Sequence, residues 1–150
     1  MEEISSVKSR RWLVRFRYIG ALLWVFGFIL PLPLVIVPFI STVSFSISTV
    51  IPFLLPAAIS LFLGLLLNRS IKIKPLSGSD AVVVVALGWL AVSAIGAVPF
   101  TLGLDIGFID ALFESTSGFT TTGITLLLNL DSLPKTMLFW RSLTQWIGGL

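Results

Sequence analysis

The stretch FESTSGFTTTGIT, Phe113 to Thr125, gathers seven serines and threonines, one carboxylate and two glycines into thirteen positions. The chain around it has a different character. Over 150 residues it is 56% hydrophobic and 11% charged, with a mean hydropathy of +1.05. In water that much apolar surface would drive aggregation, so the chain belongs in a bilayer, and a polar stretch inside it calls for a reason.

Composition removes several classes of function. With no cysteine and no histidine, the chain lacks thiolates and imidazoles. That excludes disulfide frameworks, the usual zinc sites, cysteine nucleophiles and the commonest general base, and it argues against an enzyme. The formal charge is +3, but the positive residues sit at the edges of apolar runs and form no stripe with interleaved aromatics. Membrane topology explains them and nucleic acid does not.

A membrane-crossing helix needs about 20 mainly apolar residues, because the hydrocarbon core is roughly 30 Å thick. Four segments qualify as candidates: about Tyr18 to Pro38, about Val50 to Leu67, about Asp80 to Leu102, and one that starts near Pro134 and reaches only Leu150. Pro31, Pro33 and Pro38 are expected to kink or end the first, which membrane helices tolerate when neighbours satisfy the freed carbonyls. Lys8, Arg10, Arg11, Arg15 and Arg17 precede the first segment, and Arg69, Lys72 and Lys74 lie between the second and third. The connection from Ser41 to Thr49 carries no charge, and the later loops carry Asp105, Asp110, Asp131 and only Lys135. The positive-inside rule then places residues 1–17 and the 69–79 loop in the cytoplasm, with the amino terminus inside. The basic start is read as preceding a retained span, since the apolar run is too long for a cleaved signal and lacks a small-residue cleavage site.

Between the third and fourth segments, Phe108 to Gly118 has helical character. Its length is roughly 16 Å, about half a bilayer, too short to cross. Asp105 and Asp110 suit the positive end of its dipole, and Gly118 is expected to end it in a left-handed conformation. After it, TTTGIT favours extended backbone because Thr and Ile are β-branched. Two readings stand. One is a solvated external connection. The other is a re-entrant pore loop, whose carbonyls, facing water at the midplane, replace the hydration shell of a cation. In that second reading Gly123 supplies backbone angles that β-branched residues resist, and a serine there would crowd the filter backbone.

The motifs FESTSGFTTTGIT, from Phe113 to Thr125, and FWRSLTQWIGGL, from Phe139 to Leu150, resemble the Trk/Ktr/HKT superfamily of potassium transporters. The likeness is to the Trk-type membrane subunit of bacteria and archaea, and it covers the last seventy residues best. It implies an all-α membrane protein: a leading helix pair over residues 18–68, then a potassium-channel-like repeat of helix, re-entrant pore loop and helix over residues 80–150. Within that repeat the helices fall at about 80–102 and 108–118, with a second long helix from about 134 that stops incomplete. Thr121, Thr122, Gly123, Ile124 and Thr125 would form the first repeat's filter, with potassium next to Thr121 and Thr122. In plant relatives a serine at the glycine position goes with sodium preference, so Gly123 implies potassium. The resemblance further implies three more repeats beyond this chain, a homodimer and a cytosolic nucleotide-binding regulatory subunit, in the plasma (inner) membrane.

Other residues carry narrower expectations. Glu114, seven positions before Thr121, is expected to accept hydrogen bonds from filter amides. Arg141 is expected to pair with a pore-loop carboxylate or carbonyl, and Trp140 and Trp146 to mark a membrane interface. Asp80 reads as a helix-capping residue. Gly88, Gly96, Gly148 and Gly149 read as close-packing positions.

The function expected from these residues is potassium uptake through a single-file filter, with potassium as cargo, no organic cofactor and no covalent chemistry. Two alternatives remain: a small channel of four copies of this chain, and a non-conducting fragment or accessory membrane protein.

Overall fold

The computed structural model describes residues 2–42, 45–68 and 76–150, with side chains from residue 12 onward. Arg69, Lys72 and Lys74 lie outside the described residues, as do the side chains of Lys8, Arg10 and Arg11. The helices are α1 (Glu2–Ile29), α2 (Leu32–Ile40), α3 (Ile47–Asn68), α4 (Gly78–Leu104), α5 (Phe108–Phe119) and α6 (Lys135–Gly148), with a 3₁₀ turn at Leu130–Ser132. No strand occurs among the described residues. Among the described residues three helical stretches, Trp12–Ile40, Ile47–Asn68 and Gly78–Leu104, are long and apolar enough to cross a membrane.

Helix α1 begins well before the expected span, so the basic amino-terminal segment continues the helix. It ends where Pro31 and Pro33 interrupt the ladder. The Leu30 amide still reaches the Phe26 carbonyl at 3.1 Å, and α2 restarts with the Leu34 amide on the Pro31 carbonyl at 3.0 Å. A proline ring both lacks an N–H and clashes with the preceding turn, so the break falls there.

Helices α1 and α3 pack closely through small residues. A Cβ added to Gly64 would lie 2.7 Å from the Trp24 backbone nitrogen, and one on Gly20 would lie 2.6 Å from Leu67 Cβ. Beside them the buried Ser60 hydroxyl donates to the Leu23 carbonyl at 2.7 Å. In lipid there is no hydrophobic drive between helices, so close backbone approach and such hydrogen bonds hold them together.

At one end of the bundle Arg15 donates to Asp80 Oδ1 through Nε at 2.9 Å and Nη2 at 2.6 Å. Asp80 also belongs to the cap of α4: its amide donates to Ser77 Oγ at 3.3 Å, and Ser77 Oγ donates to Asp80 Oδ2 at 2.6 Å. The capping role read from sequence is therefore joined by an ion pair that ties α1 to α4.

The core closes around Trp140 of α6. Its ring is fully buried, lies 6.1 Å from the Phe26 and Phe53 rings, and donates through Nε1 to the Gly96 carbonyl at 3.1 Å. This corrects the expectation of an interfacial Trp140. The ring sits where α1, α3 and α4 converge, against Phe26, Phe53 and the Gly96 carbonyl. Trp146, by contrast, is exposed.

Candidate functional site

Helix α5 runs back from the end of α4 toward its middle. Phe119 reaches the ring of Trp89, 6.1 Å away, and a Cβ on Gly96 would meet both the Phe119 ring and Ser115 Oγ at 2.8 Å. Trp89 sits about 17 Å along α4 from Gly78 and about 23 Å from Leu104, at 1.5 Å per residue. The carboxyl end of α5 therefore stops near the midpoint of a helix long enough to span a bilayer.

Two glycines bring α6 against that end. A Cβ on Gly118 would overlap Thr144 Oγ1, and one on Gly148 would overlap the Phe119 carbonyl. Gly118 lies inside α5, with the helix continuing to Phe119. The left-handed residue expected at Gly118 is instead Thr121, at φ +58°. Close packing on Thr144 decides the glycine, and the reversal waits three residues. A left-handed conformation costs a β-branched residue about 1–2 kcal/mol, so its surroundings must hold it.

Those surroundings are hydrogen bonds. The Thr121 amide reaches the Gly118 carbonyl at 2.9 Å, and the Thr122 and Gly123 amides reach the Ser117 carbonyl at 3.0 and 3.3 Å. Gly123 has φ +74° with no atom within 4 Å of an added Cβ. Space there is open, so a side chain would meet conformational cost and not the crowding expected from sequence. From here the chain runs back along α5 without regular structure. Ser117 Oγ donates to the Ile124 carbonyl at 2.6 Å; three residues earlier on the helix, Glu114 Oε1 accepts from Thr125 Oγ1 at 2.7 Å and from the Leu126 amide at 2.5 Å. The order of partners, 117 with 124 and 114 with 125 and 126, makes the return segment antiparallel to α5.

Glu114 is 2% exposed. Its second oxygen lies 3.6 Å from Arg141 Nε, and Arg141 Nη2 donates to the Gly123 carbonyl at 3.0 Å. The structure thus brings Glu114, Arg141, Gly123 and Thr125 into one connected group. Ile124 joins through its carbonyl, held by Ser117. Thr121 and Thr122 stand at the exposed tip, where Thr120 Oγ1 lies 2.8 Å from Thr122 Oγ1 and Thr121 Oγ1 donates to the Thr120 carbonyl at 2.7 Å. Their own carbonyls accept no hydrogen bond among the described residues. Exposed oxygens of this kind, with no carboxylate among them, suit an alkali cation better than a transition metal, which prefers imidazole or thiolate. Sequence reasoning passed over Ser117, although it is three residues from Glu114 and so shares its helix face, which is a usable signal.

A family model described as TrkH, cation transport protein, matches residues 35–150. An uncharacterized cation transporter of Methanocaldococcus jannaschii is 44% identical over 116 residues, covering 77% of this chain and 24% of the relative. The Trk system potassium uptake protein TrkH of Escherichia coli K12 is 42% identical over 85 residues, covering 55% of this chain and 17% of the relative. The protein of the same name from Vibrio parahaemolyticus is 38% identical over 105 residues, covering 67% and 21%. The stretches matched amount to a quarter or less of these relatives' lengths.

Proposed function

This chain belongs to the TrkH family of cation transport proteins, and from that premise we propose that it supplies the leading helix pair and first pore repeat of a potassium uptake protein. The family is one of transporters and not enzymes, and with three long apolar helices the chain is a multi-pass membrane protein. In the proposed arrangement residues 18–68 form the leading pair and residues 80–150 the repeat, with residues 1–17 and 69–79 on the cytoplasmic side.

One observation carries this reading: α5 stops beside the middle of α4, and the chain then returns antiparallel to α5, bound to the buried Glu114. Irregular backbone at such a depth in lipid is tolerated only where it is buried in protein or lines water. Water on the exposed side of Thr121 and Thr122 makes the segment a path for ions. A potassium ion entering it must shed hydration, and backbone carbonyls replace the lost oxygens. The negative end of the α5 dipole adds to the attraction. Arg141 brings a positive charge close to the Gly123 carbonyl that would repel a cation, and Glu114, 3.6 Å away, offsets it.

The remaining repeats, a second copy and a cytosolic nucleotide-binding regulator complete the proposal. Neither a channel of four copies nor a non-conducting fragment is favoured by relatives that are named as cation or potassium transporters. The test is expression of the complete gene encoding this chain in cells lacking potassium uptake. Growth at low potassium, with rubidium uptake that sodium competes for poorly, is expected. Absence of uptake with the protein present in the membrane would sink the reading.

A further inference from the structure

Ser117 is buried in the last turns of α5, where a helical serine ordinarily returns its hydroxyl to a carbonyl one turn back. Here the hydroxyl points forward, to the Ile124 carbonyl at 2.6 Å, while the Ser117 carbonyl collects the amides of Thr122 and Gly123 at 3.0 and 3.3 Å. One residue therefore holds the return segment on both sides of Gly123.

The planar trans peptide turns these bonds into directions. Within each peptide unit the C=O and the next residue's N–H point opposite ways. With the Thr122 and Gly123 amides drawn to Ser117, the carbonyls of Thr121 and Thr122 must point away from α5. The two carbonyls that follow are used up differently: Gly123 is held by Arg141 at 3.0 Å and Ile124 by the Ser117 hydroxyl. A pair of outward oxygens is thus bounded by a pair bound to protein.

We propose that Ser117 is a positioning residue for ion selectivity: by holding the Ile124 carbonyl against α5 it fixes which oxygens of residues 121–124 are presented to the cation. The proposal rests on reading Thr121 to Thr125 as the filter. Without the hydroxyl, the peptide between Ile124 and Thr125 is released to rotate. Its carbonyl can then enter the ion path or leave the spacing of the Thr121 and Thr122 oxygens unsupported. Discrimination between potassium and sodium depends on that spacing and on the number of coordinating dipoles, whereas simple folding does not.

The experiment measures rubidium uptake against sodium competition in cells expressing the complete gene, normalised to transporter in the membrane. Ser117→Ala should lower potassium preference about three- to tenfold, the range one neutral hydrogen bond represents. Ser117→Thr, which keeps the hydroxyl, should retain more of the preference than Ser117→Ala. Where Ser117→Ala does not accumulate, Ser117→Cys, similar in shape with only a weak S–H donor, replaces it and should also lose preference. Preference unchanged in the alanine variant, or in the cysteine variant that replaces it, overturns the proposal, as does equal loss in the alanine and threonine variants. Wild-type protein that takes up no potassium overturns the filter reading beneath it, which keeps the two failures distinct.

Discussion

Glu114 and Arg141 approach to 3.6 Å, and each also grips the return segment separately, the carboxylate through Thr125 and Leu126 and the guanidinium through the Gly123 carbonyl. The pair spans the turn from α5 into α6 and holds the irregular backbone between them at two points. A buried charge left without its partner is costly, so neither member is expendable alone.

Glu114→Gln keeps the shape and an acceptor oxygen but removes the charge facing Arg141. Potassium uptake per transporter is expected to fall about tenfold or more, since hydrogen bonds to charged groups contribute about 1.5–3 kcal/mol. A double-mutant cycle with Arg141→Gln should show strong non-additivity. Additive losses in rubidium flux would mean that the two residues act independently.

Gly123 sits at φ +74° in open space, so substitutions there should be limited by backbone conformation. Gly123→Ala and Gly123→Ser are expected to reduce potassium preference to similar degrees, each carrying about 1–2 kcal/mol of left-handed penalty. A serine variant far worse than alanine in competition uptake would point to crowding instead.

Trp140 is fully buried and bonded to Gly96. Trp140→Ala should cost about 3–5 kcal/mol and deplete the protein from membranes, while Trp140→Phe loses mainly the Nε1 hydrogen bond and should be milder. Detergent melting curves of the two variants check the order.

Gly148→Val should separate α6 from the end of α5, because a Cβ there overlaps the Phe119 carbonyl. Overpacking at such a seam costs about 1–3 kcal/mol. The expected signature is faster proteolysis between residues 120 and 134, and wild-type cleavage kinetics would count against the seam.

Arg15→Gln and Asp80→Asn each break the α1–α4 ion pair, whose side chains are 15% and 12% exposed. Both should lower thermal stability. The exchanged pair, Arg15→Asp with Asp80→Arg, should recover part of the loss if pairing is what stabilises, less the α4 capping that Asp80 supplies. Wild-type melting of Arg15→Gln, which leaves the Ser77–Asp80 cap intact, would assign the stability to the cap.

Read alone, the sequence determined what length and composition control. Runs of about 20 apolar residues need a bilayer, a helix half that long cannot cross it, and charges as isolated as Glu114 and Arg141 are too costly in lipid to be incidental. Tertiary structure decided everything that depends on direction. Seven hydroxyls crowd the Phe113 to Thr125 stretch, and composition cannot single out Ser117, because the partner of a hydroxyl depends on where its Oγ points. Trp140 looks interfacial on an isolated α6, and only the meeting of α1, α3 and α4 at Gly96 buries it. The left-handed turn falls at Thr121 and not Gly118 for the same reason: α6 claims the space above the glycine, so the chain reverses where hydrogen bonds from a neighbouring turn can hold it. Arg15 and Asp80, 65 residues apart, share no local signal, and their contact exists only because two helices are brought side by side.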